Sequence, residues 1–287
     1  MLNQLHYPRL PGLLRSLSLL VLLALTAMAF SAWRPAPIVM EIELNKRVAS
    51  LDEAAEEGAS GEFPDFTAYE GVEERKQAFF DYMHEHVERV NRQVLAQREE
   101  LIPLYEVARD GAPLSRTERR ILHAIAEEYR LDPGSMSDRE LTSELMLRVD
   151  MLPTSLVLAQ AANESAWGTS RFARQARNLF GQWCFTEGCG LVPSNRPADA
   201  SHEVRTFSTV EDAVQAYFLN LNTNDAYDYL RRLRSDMRRR EDPINSLVLA
   251  YGLTGYSSRG LAYVTELQSI IRYNGLHELD TMDAAQS

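Results

Sequence analysis

The stretch that most constrains this 287-residue chain is PTSLVLAQAANESAWGTSRFARQARNLFGQW, at residues 153–183. It begins as an apolar, alanine-rich segment, in which Pro153 suits the first turn of a helix and Gly168 suits its end. Glu164 is the single acidic residue of this stretch and falls in the last turn of the predicted helix. The sequence therefore places one carboxyl group at the end of an otherwise apolar helix.

This position has consequences for the pKa of Glu164. The C-terminal end of a helix carries partial negative charge, which disfavours a carboxylate and raises its pKa. Trp167 lies three residues on, on the same helix face, where its indole could shield the carboxyl group from water. A carboxyl group that stays protonated near neutral pH is what the general acid of a glycosidase needs. The alternative is that Glu164 is a solvated or capping residue, as most charged helical residues are.

Two segments resemble a known family. AQAANESAWGTSRFA followed by NLFG, together with YGLTGYSSRGLAYVTELQSIIRYNGL near the end, is similar to the β-N-acetylglucosaminidases that cut bacterial cell-wall glycan. In that family an AQ-x-x-x-E-S-x-W-G helix and an N-L-F-G turn precede a terminal segment with two tyrosines. The chain resembles in particular the Bax-type envelope proteins of Gram-negative bacteria, which carry this domain. The resemblance covers about residues 140–276 and extends upstream to about residue 72.

The resemblance implies a mainly α fold: a lysozyme-like glucosaminidase domain with one small β-hairpin, preceded by a helical N-terminal region. It implies that Glu164 is the catalytic acid and that Tyr256 touches the N-acetylated sugar or orients water near the reacting carbon. The family more often reads Y-A-T-D-P-x-Y where this chain has YSSRGLAY, so the Asp and Pro are missing here. The candidate substrate-binding residues are Trp167, Asn178, Phe180, Trp183 and Tyr263. Each aromatic side chain among them could instead pack in the core.

A glycosidase usually needs a second carboxylate, as nucleophile or to activate water. In the family this acid lies on the hairpin after N-L-F-G, where this chain has Glu187, Asp199 and Glu203. Glu203 is preferred, because HEVRTF reads as the returning strand and would hold the side chain firmly. The T-E-Y-x-x-G surround that often marks the second acid is absent. Substrate-assisted attack by the N-acetyl group of the sugar would need no second carboxylate in that role.

Cys184 and Cys189 in CFTEGC are predicted to form a disulfide across a turn, which suits an exported protein. Two free thiols in a packed hairpin are the alternative. A cysteine hydrolase that uses Cys184 and His202 is conceivable from residue types, but a disulfide would silence the thiol. The sequence has no metal-binding pattern such as H-E-x-x-H, so neither a metal nor another cofactor is implied.

The N-terminal residues predict export. Residues 1–33 read as a signal peptide or N-terminal membrane anchor, with two arginines before an uncharged apolar run. Residues 34–63 are rich in Pro, Ala, Glu and Gly and read as an acidic flexible linker. The net charge of −11 argues against a nucleic-acid partner. We therefore expect a periplasmic protein, with membrane contact only through the N-terminal segment.

The remaining chain divides into a helical cap region at residues 64–139, the glucosaminidase-like domain at 140–276 and a C-terminal tail at 277–287. A long amphipathic helix from Val72 is predicted to be interrupted at Pro103. Residues 183–207 read as a small β-hairpin with a long mobile tip. Two surface predictions follow from charge alone: His84 and His86 are solvated, and RRLRSDMRRR, before residue 241, forms a solvated basic helix face.

The sequence thus predicts an endo-β-N-acetylglucosaminidase that hydrolyses β-1,4 bonds of an N-acetylglucosamine-containing glycan, peptidoglycan above all. Two alternatives stay open. One is non-hydrolytic cleavage of the same glycan, in which one acid suffices and an internal anhydro ring forms. The other is a non-catalytic protein of the envelope that binds glycan or serves as a scaffold, with the upstream helices as a docking surface.

Overall fold

The computed structural model of the protein describes residues 62–194, 196 and 200–284. These residues are mainly helical and share one hydrophobic core. The predicted export segment 1–33 and the linker as far as residue 61 lie outside the described residues, as does Asp199. Within the described part of the chain, no helix combines the length and the apolar character needed to cross a membrane.

The longest element is helix α1, Val72–Arg109, with 38 residues. The interruption predicted at Pro103 is wrong, since the helix continues through it. Leu101 and Leu104, on either side of the proline, are buried. Packing of these side chains stabilises the helix enough to offset the backbone hydrogen bond that proline cannot make. The predicted apolar stripe of α1 is confirmed, with buried side chains at Phe79, Met83, Val87, Val90 and Val94.

Three shorter helices follow: α2, Arg116–Glu128; α3, Asp138–Arg148; and α4, Thr154–Ser165. Helices α2 and α3 begin at the predicted capping boxes, Ser115 with Glu118 and Ser137 with Glu140. Helix α4 carries Glu164 and is buried over nearly its whole length. Because α1 packs on both α3 and α4, the upstream helices form one core with the rest of the described chain.

A small sheet follows helix α5, Arg171–Ala176. Its strands are β1, Trp183–Cys184; β2, Gly190–Leu191; and β3, Glu203–Arg205. The predicted hairpin is in fact an antiparallel three-stranded sheet, because β3 lies between β1 and β2 and pairs with both. The close pairing requires glycine at position 190, where a Cβ atom would lie 1.9 Å from the carbonyl oxygen of Val204.

Helix α6, Val210–Thr223, begins at a capping box of Thr209 and Asp212. It is followed by α7, Asp228–Arg239; α8, Ser246–Leu249; α9, Leu261–Tyr273; and α10, His277–Ala284. Helix α10 occupies most of the predicted tail. Its Asp280 accepts hydrogen bonds from the hydroxyl groups of Ser155, at 2.9 Å, and Ser246, at 2.5 Å. Single 3-10 turns occur at Phe66–Ala68, Pro133–Ser135, Asp225–Tyr227 and Ala250–Leu253.

The prediction that RRLRSDMRRR forms a solvated face is wrong for Arg231 and Arg234, which are buried, whereas Arg232, Arg239 and Arg240 are exposed. Arg234 is fully buried and donates to the carbonyl oxygens of Asp150, at 3.0 Å, and Met151, at 2.9 Å. The carboxylate of Asp150 accepts two close hydrogen bonds from Arg238, at 2.7 and 2.8 Å. Arg98 of α1 also lies 3.6 Å from it. Arginine is buried here because its fork can bond several carbonyl groups at once.

Asp150 stays ionised in this arrangement. Its burial opposes ionisation, but the guanidinium groups of Arg234, Arg98 and Arg238 outweigh burial and hold the pKa of Asp150 below its usual range. The cluster joins α1 and α7 to the short segment that leads into α4. We call Asp150, Arg98, Arg234 and Arg238 the Asp150 cluster.

His86 was predicted to be solvated, and this is also wrong. Its ring packs edge-to-face on Tyr82, with centroids 4.9 Å apart. Burial, followed by the charge of Arg89, lowers the pKa of His86 to about 4, so the imidazole is neutral at pH 7. His84 is more exposed and lies 3.8 Å from Glu88.

Replacing Asp150 by alanine tests the Asp150 cluster. The change leaves the surrounding arginines without their buried counter-charge, so the free energy of unfolding should fall by about 3–5 kcal/mol in urea titrations. Asp236→Ala removes the partner of Arg239 from an exposed pair on the same helix α7 and should cost less than about 1 kcal/mol. Equal losses for the two variants would contradict a special role of the cluster.

Candidate active site

Glu164 lies at a sharp reversal of the chain. Helix α4 ends at Ser165, and Ala166, Trp167 and Gly168 follow with φ values of 51°, 57° and 73°. Three successive residues in the left-handed region turn the backbone away from the helix axis. Glycine is required at position 168, because a Cβ atom there would lie 2.4 Å from the ring of Phe66. The reversal exposes the end of α4 while its body stays in the core.

The carboxyl group of Glu164 is half-buried, and burial raises its pKa above the usual range. A hydrogen bond from Tyr263 and the charge of Arg259 act in the opposite direction without cancelling this effect. The raised pKa predicted from the sequence is thus confirmed. Trp167 packs on α1, with ring centroids 5.0 Å from Phe80 and 6.2 Å from Phe79, and its predicted shielding of Glu164 stays a prediction.

A chain of hydrogen bonds leads to Glu164 from the core. The hydroxyl group of Tyr217 donates to Oε1 of Gln160, and Nε2 of Gln160 donates to the Tyr263 hydroxyl group at 2.9 Å. Tyr263 in turn donates to Glu164. The three partners are buried, so this relay fixes the position of the carboxyl group.

Tyr256 completes an aromatic wall beside the relay. Its ring stacks on Tyr263, with centroids 5.7 Å apart and planes 2° from parallel. Its hydroxyl group donates to the carbonyl oxygen of Phe180 at 2.7 Å. Phe180 is buried and stacks on Tyr217 at 4.1 Å. Tyr256 therefore connects the terminal segment to the N-L-F-G turn.

The N-L-F-G turn passes directly over Glu164. A Cβ atom on Gly181, whose φ is 64°, would lie 3.7 Å from Oε2 of Glu164. Asn178 holds the turn: its amide donates to the carbonyl oxygens of Gln182 at 2.8 Å and Arg205 at 2.9 Å, and accepts from the Gln182 backbone at 3.0 Å. Asn178 and Phe180 are buried, so in this structure they support the turn. Their predicted contact with sugar stays a prediction.

The two candidate stacking tryptophans differ in exposure. Trp167 is partly buried against the core, and the Lys76 ammonium group lies 5.4 Å from its ring centre. Trp183, on β1, is 58% exposed and stacks on His202 with centroids 4.3 Å apart. Trp183 is thus the one of the two that presents a large free surface.

Glu203 lies on β3 and is only 5% exposed. One carboxylate oxygen accepts from the backbone N–H of Gly188 at 3.1 Å and the other from Gly190 at 2.8 Å. These two hydrogen bonds hold the pKa of Glu203 below its usual range, so it is ionised at neutral pH. Of the other candidates for the second acid, Glu187 is exposed on the same loop and Asp199 lies outside the described residues.

The predicted disulfide between Cys184 and Cys189 is confirmed, and it closes the loop that binds Glu203. It rules out the alternative of a Cys184 nucleophile, because the sulfur is not a free thiolate. The two sulfurs and a Glu203 oxygen lie within 4.8 Å of one another. A disulfide lacks the thiolate charge that binds metals, so this group does not fit a metal site.

Sequence reasoning missed several residues around Glu164. Gln160 could have been found, since it lies four residues before Glu164 on the same face of α4. Tyr217 gives no local signal, because it comes from α6. Arg259 lies 5.5 Å from the ring centre of Tyr263 and 2.6 Å from Glu266 of α9. It occupies the terminal segment in which the family pattern has Asp and Pro.

Comparison with known proteins agrees with this geometry. Residues 139–276 match the glucosaminidase family, described as mannosyl-glycoprotein endo-beta-N-acetylglucosaminidase. The matched segment begins inside α3 and includes Glu164, the N-L-F-G turn, the sheet and both tyrosines of the terminal segment. The chain therefore carries a domain of a glycan-cleaving family.

A relative with a similar extent is the protein named bax of Escherichia coli strain K12. It is 32% identical over 229 residues, which cover 79% of this chain and 80% of that protein. The protein belongs to the Bax-type family of glucosaminidase-domain proteins. No solved structure matches the chain.

Replacing Tyr263 by phenylalanine tests the relay. Because the Tyr263 hydroxyl group stabilises the ionised form of Glu164, its loss should raise the pKa of Glu164 further. Carbon-13 NMR titration of the glutamate carboxyl groups measures this, with the Glu164 signal assigned from Glu164→Gln. Tyr273→Phe, at a residue that is 78% exposed, should leave the titration unchanged. A lowered pKa in the Tyr263 variant would contradict the relay.

Proposed function

We propose that the protein is an endo-β-N-acetylglucosaminidase that hydrolyses β-1,4 bonds of an N-acetylglucosamine-containing glycan, with peptidoglycan as its substrate. The observation that carries the proposal is the environment of Glu164: a half-buried carboxyl group with a raised pKa, held by Tyr263 beneath the N-L-F-G turn. Membership of the glucosaminidase family supports the same substrate class.

Glu164 acts as the general acid in this proposal. A raised pKa keeps a fraction of the carboxyl group protonated near neutral pH, so that it can protonate the oxygen of the leaving sugar. Gly181 lies next to the carboxyl group, where a Cβ atom would be in van der Waals contact with Oε2 of Glu164. Tyr256 and Tyr263 supply an aromatic wall beside the acid.

Glu203 is proposed as the second carboxylate. The pKa of Glu203 is lowered by its environment, whereas that of Glu164 is raised. Glu164 thus suits the role of a protonated acid, and Glu203 suits the role of an ionised nucleophile or base. Each oxygen of Glu203 accepts one backbone hydrogen bond in this structure, and each retains a second lone pair.

The hydrogen bonds of Glu203 also favour the alternative of non-hydrolytic cleavage. If both oxygens remain engaged by the loop and no other carboxylate takes the place of Glu203, Glu164 acts alone and the reaction forms an internal anhydro ring in place of a new reducing end. A glycan-binding protein without activity is the third candidate, and the absence of the T-E-Y-x-x-G surround of the second acid is the sequence observation that favours it.

The proposed place of action is the periplasm. The apolar segment within residues 1–33 supports export or anchoring, and the Cys184–Cys189 disulfide is typical of an oxidising compartment. Peptidoglycan lies in that compartment, so the proposed substrate and the proposed location agree.

Digestion of purified peptidoglycan by the full-length protein tests the proposal. New N-acetylglucosamine reducing ends should appear in mass spectra, and Glu164→Gln should release them roughly 10²- to 10⁴-fold more slowly because it cannot donate the proton. Full activity of this variant would exclude Glu164 as the acid. Products with anhydro ends would establish the non-hydrolytic reaction, and binding of glycan without any products would establish the binding role.

The second acid is tested by Glu203→Gln beside Glu187→Gln, a matched change on the disulfide loop that binds the Glu203 carboxylate. Loss of the nucleophile or base should slow cleavage on the order of 10²-fold or more for Glu203, whereas Glu187→Gln should stay near the unmodified rate. Circular dichroism and thermal unfolding of both variants check that the fold is intact. The opposite ranking of the two variants would move the assignment to Glu187.

A further inference from the structure

The described chain contains a cavity of about 790 Å³ that none of Glu164, Tyr256 or Tyr263 lines. This volume falls within the roughly 300–1,000 Å³ that is typical of ligand sites. Its walls come from α1, the end of α2, the region of β1 and β3, and α6. Two of these elements, α1 and α2, lie upstream of residues 139–276, the segment that matches the glucosaminidase family. The cavity is therefore not formed by the family domain alone.

Side-chain amides line the floor of the cavity. Gln97 of α1 donates to Glu128 at 2.8 Å and accepts from the Tyr129 hydroxyl group at 2.9 Å. Gln93 accepts a hydrogen bond from Gln215 of α6 at 3.0 Å. These contacts fix the orientation of the amides but leave part of their hydrogen-bonding capacity unused, since each amide has two N–H donors and two lone pairs. In the described residues, no hydrogen bond reaches Oε1 of Gln215.

The acidic and basic side chains that line the cavity are equal in number. Glu128 and Asp212 contribute negative charge, and Arg130 and Arg205 contribute positive charge. A polyanion such as a nucleic acid would favour an excess of positive charge, and a cationic ligand would favour the reverse. An uncharged polar ligand suits a lining of this kind.

Exposed aromatic rings lie at the β1 side of the cavity. Trp183 and Phe185 are 58% and 71% exposed, respectively, and both belong to the lining. Exposed apolar side chains that form a patch rimmed by polar residues mark a candidate binding surface. The apolar C–H face of a sugar ring packs on such rings, while its hydroxyl and N-acetyl groups reach the amides. Aromatic rings beside fixed amides thus form a surface that suits a carbohydrate.

We propose that this cavity is a second glycan-binding site, which takes an uncharged segment of N-acetylated sugar chain and is separate from the cleft at Glu164. The identity of the sugar rests on the proposed function, whereas the cavity and its chemistry do not. Helix α1 supplies the amides Gln93 and Gln97, so the upstream helical region has a role in binding the substrate. A chain held at two places would stay on the protein between successive cuts.

The test uses full-length protein carrying Glu164→Gln and the soluble sugar tetra-N-acetylchitotetraose. Titration calorimetry should show two sites per chain, and NMR should show shifts of the side-chain amide signals of Gln93, Gln97 and Gln215. Ala216→Trp fills the cavity from α6 and should reduce the stoichiometry from two to one. Gln77→Ala, which removes an exposed amide of α1 outside the cavity, is the matched control and should keep both sites.

A second, milder variant tests the site in case Ala216→Trp does not fold. Gln215→Ala removes one amide and should weaken the second site roughly two- to tenfold, the effect of losing one hydrogen bond. The proposal is overturned if saturating sugar leaves the three amide signals unmoved, or if folded Ala216→Trp still binds two sugars. Absence of cleavage by the unmodified enzyme, with these shifts present, would overturn the proposed function and leave the second site standing.

Discussion

The structure depends on the buried charge of Asp150. A single carboxylate binds Arg238 and lies close to Arg98 and Arg234, so that one group joins helices α1 and α7. Asp150 also lies three residues before Pro153, the N-cap residue of the helix that carries Glu164. Removing either charge would leave the other buried without compensation, which is costly. The cluster thus fixes the start of α4, and the left-handed turn after Ser165 fixes its end.

The predictions that succeeded rest on interactions between residues that are close in sequence. Capping boxes, the apolar stripe of α1 and the Cys184–Cys189 disulfide depend on residues close in sequence, and all were predicted correctly. The burial of Arg234 and the continuity of α1 through Pro103 depend on packing against distant parts of the chain, and these were missed, as was the burial of His86. A charged residue in a helix reads as solvated until the structure shows the carbonyl groups that its side chain binds.

The candidate site shows the same division. Position and resemblance identified Glu164, and the direction of its pKa shift was predicted correctly. Its support comes from Tyr217 on α6, Gln160 on α4 and Tyr263 on α9, which only the fold brings together. The order of the small sheet was also out of reach, because β3 is separated from β2 by a loop whose length says nothing about pairing.

The direction of the relay determines which form of Glu164 it stabilises. Every donor points towards the carboxyl group: Tyr217 to Gln160, Gln160 to Tyr263 and Tyr263 to Glu164. Because the Tyr263 hydrogen is supplied to Glu164, the relay stabilises the carboxylate, and the Asn163 side chain acts in the same direction. Burial opposes both and is the larger effect. The core that keeps the acid protonated therefore also stabilises the conjugate base that remains after the proton has been given to the leaving sugar.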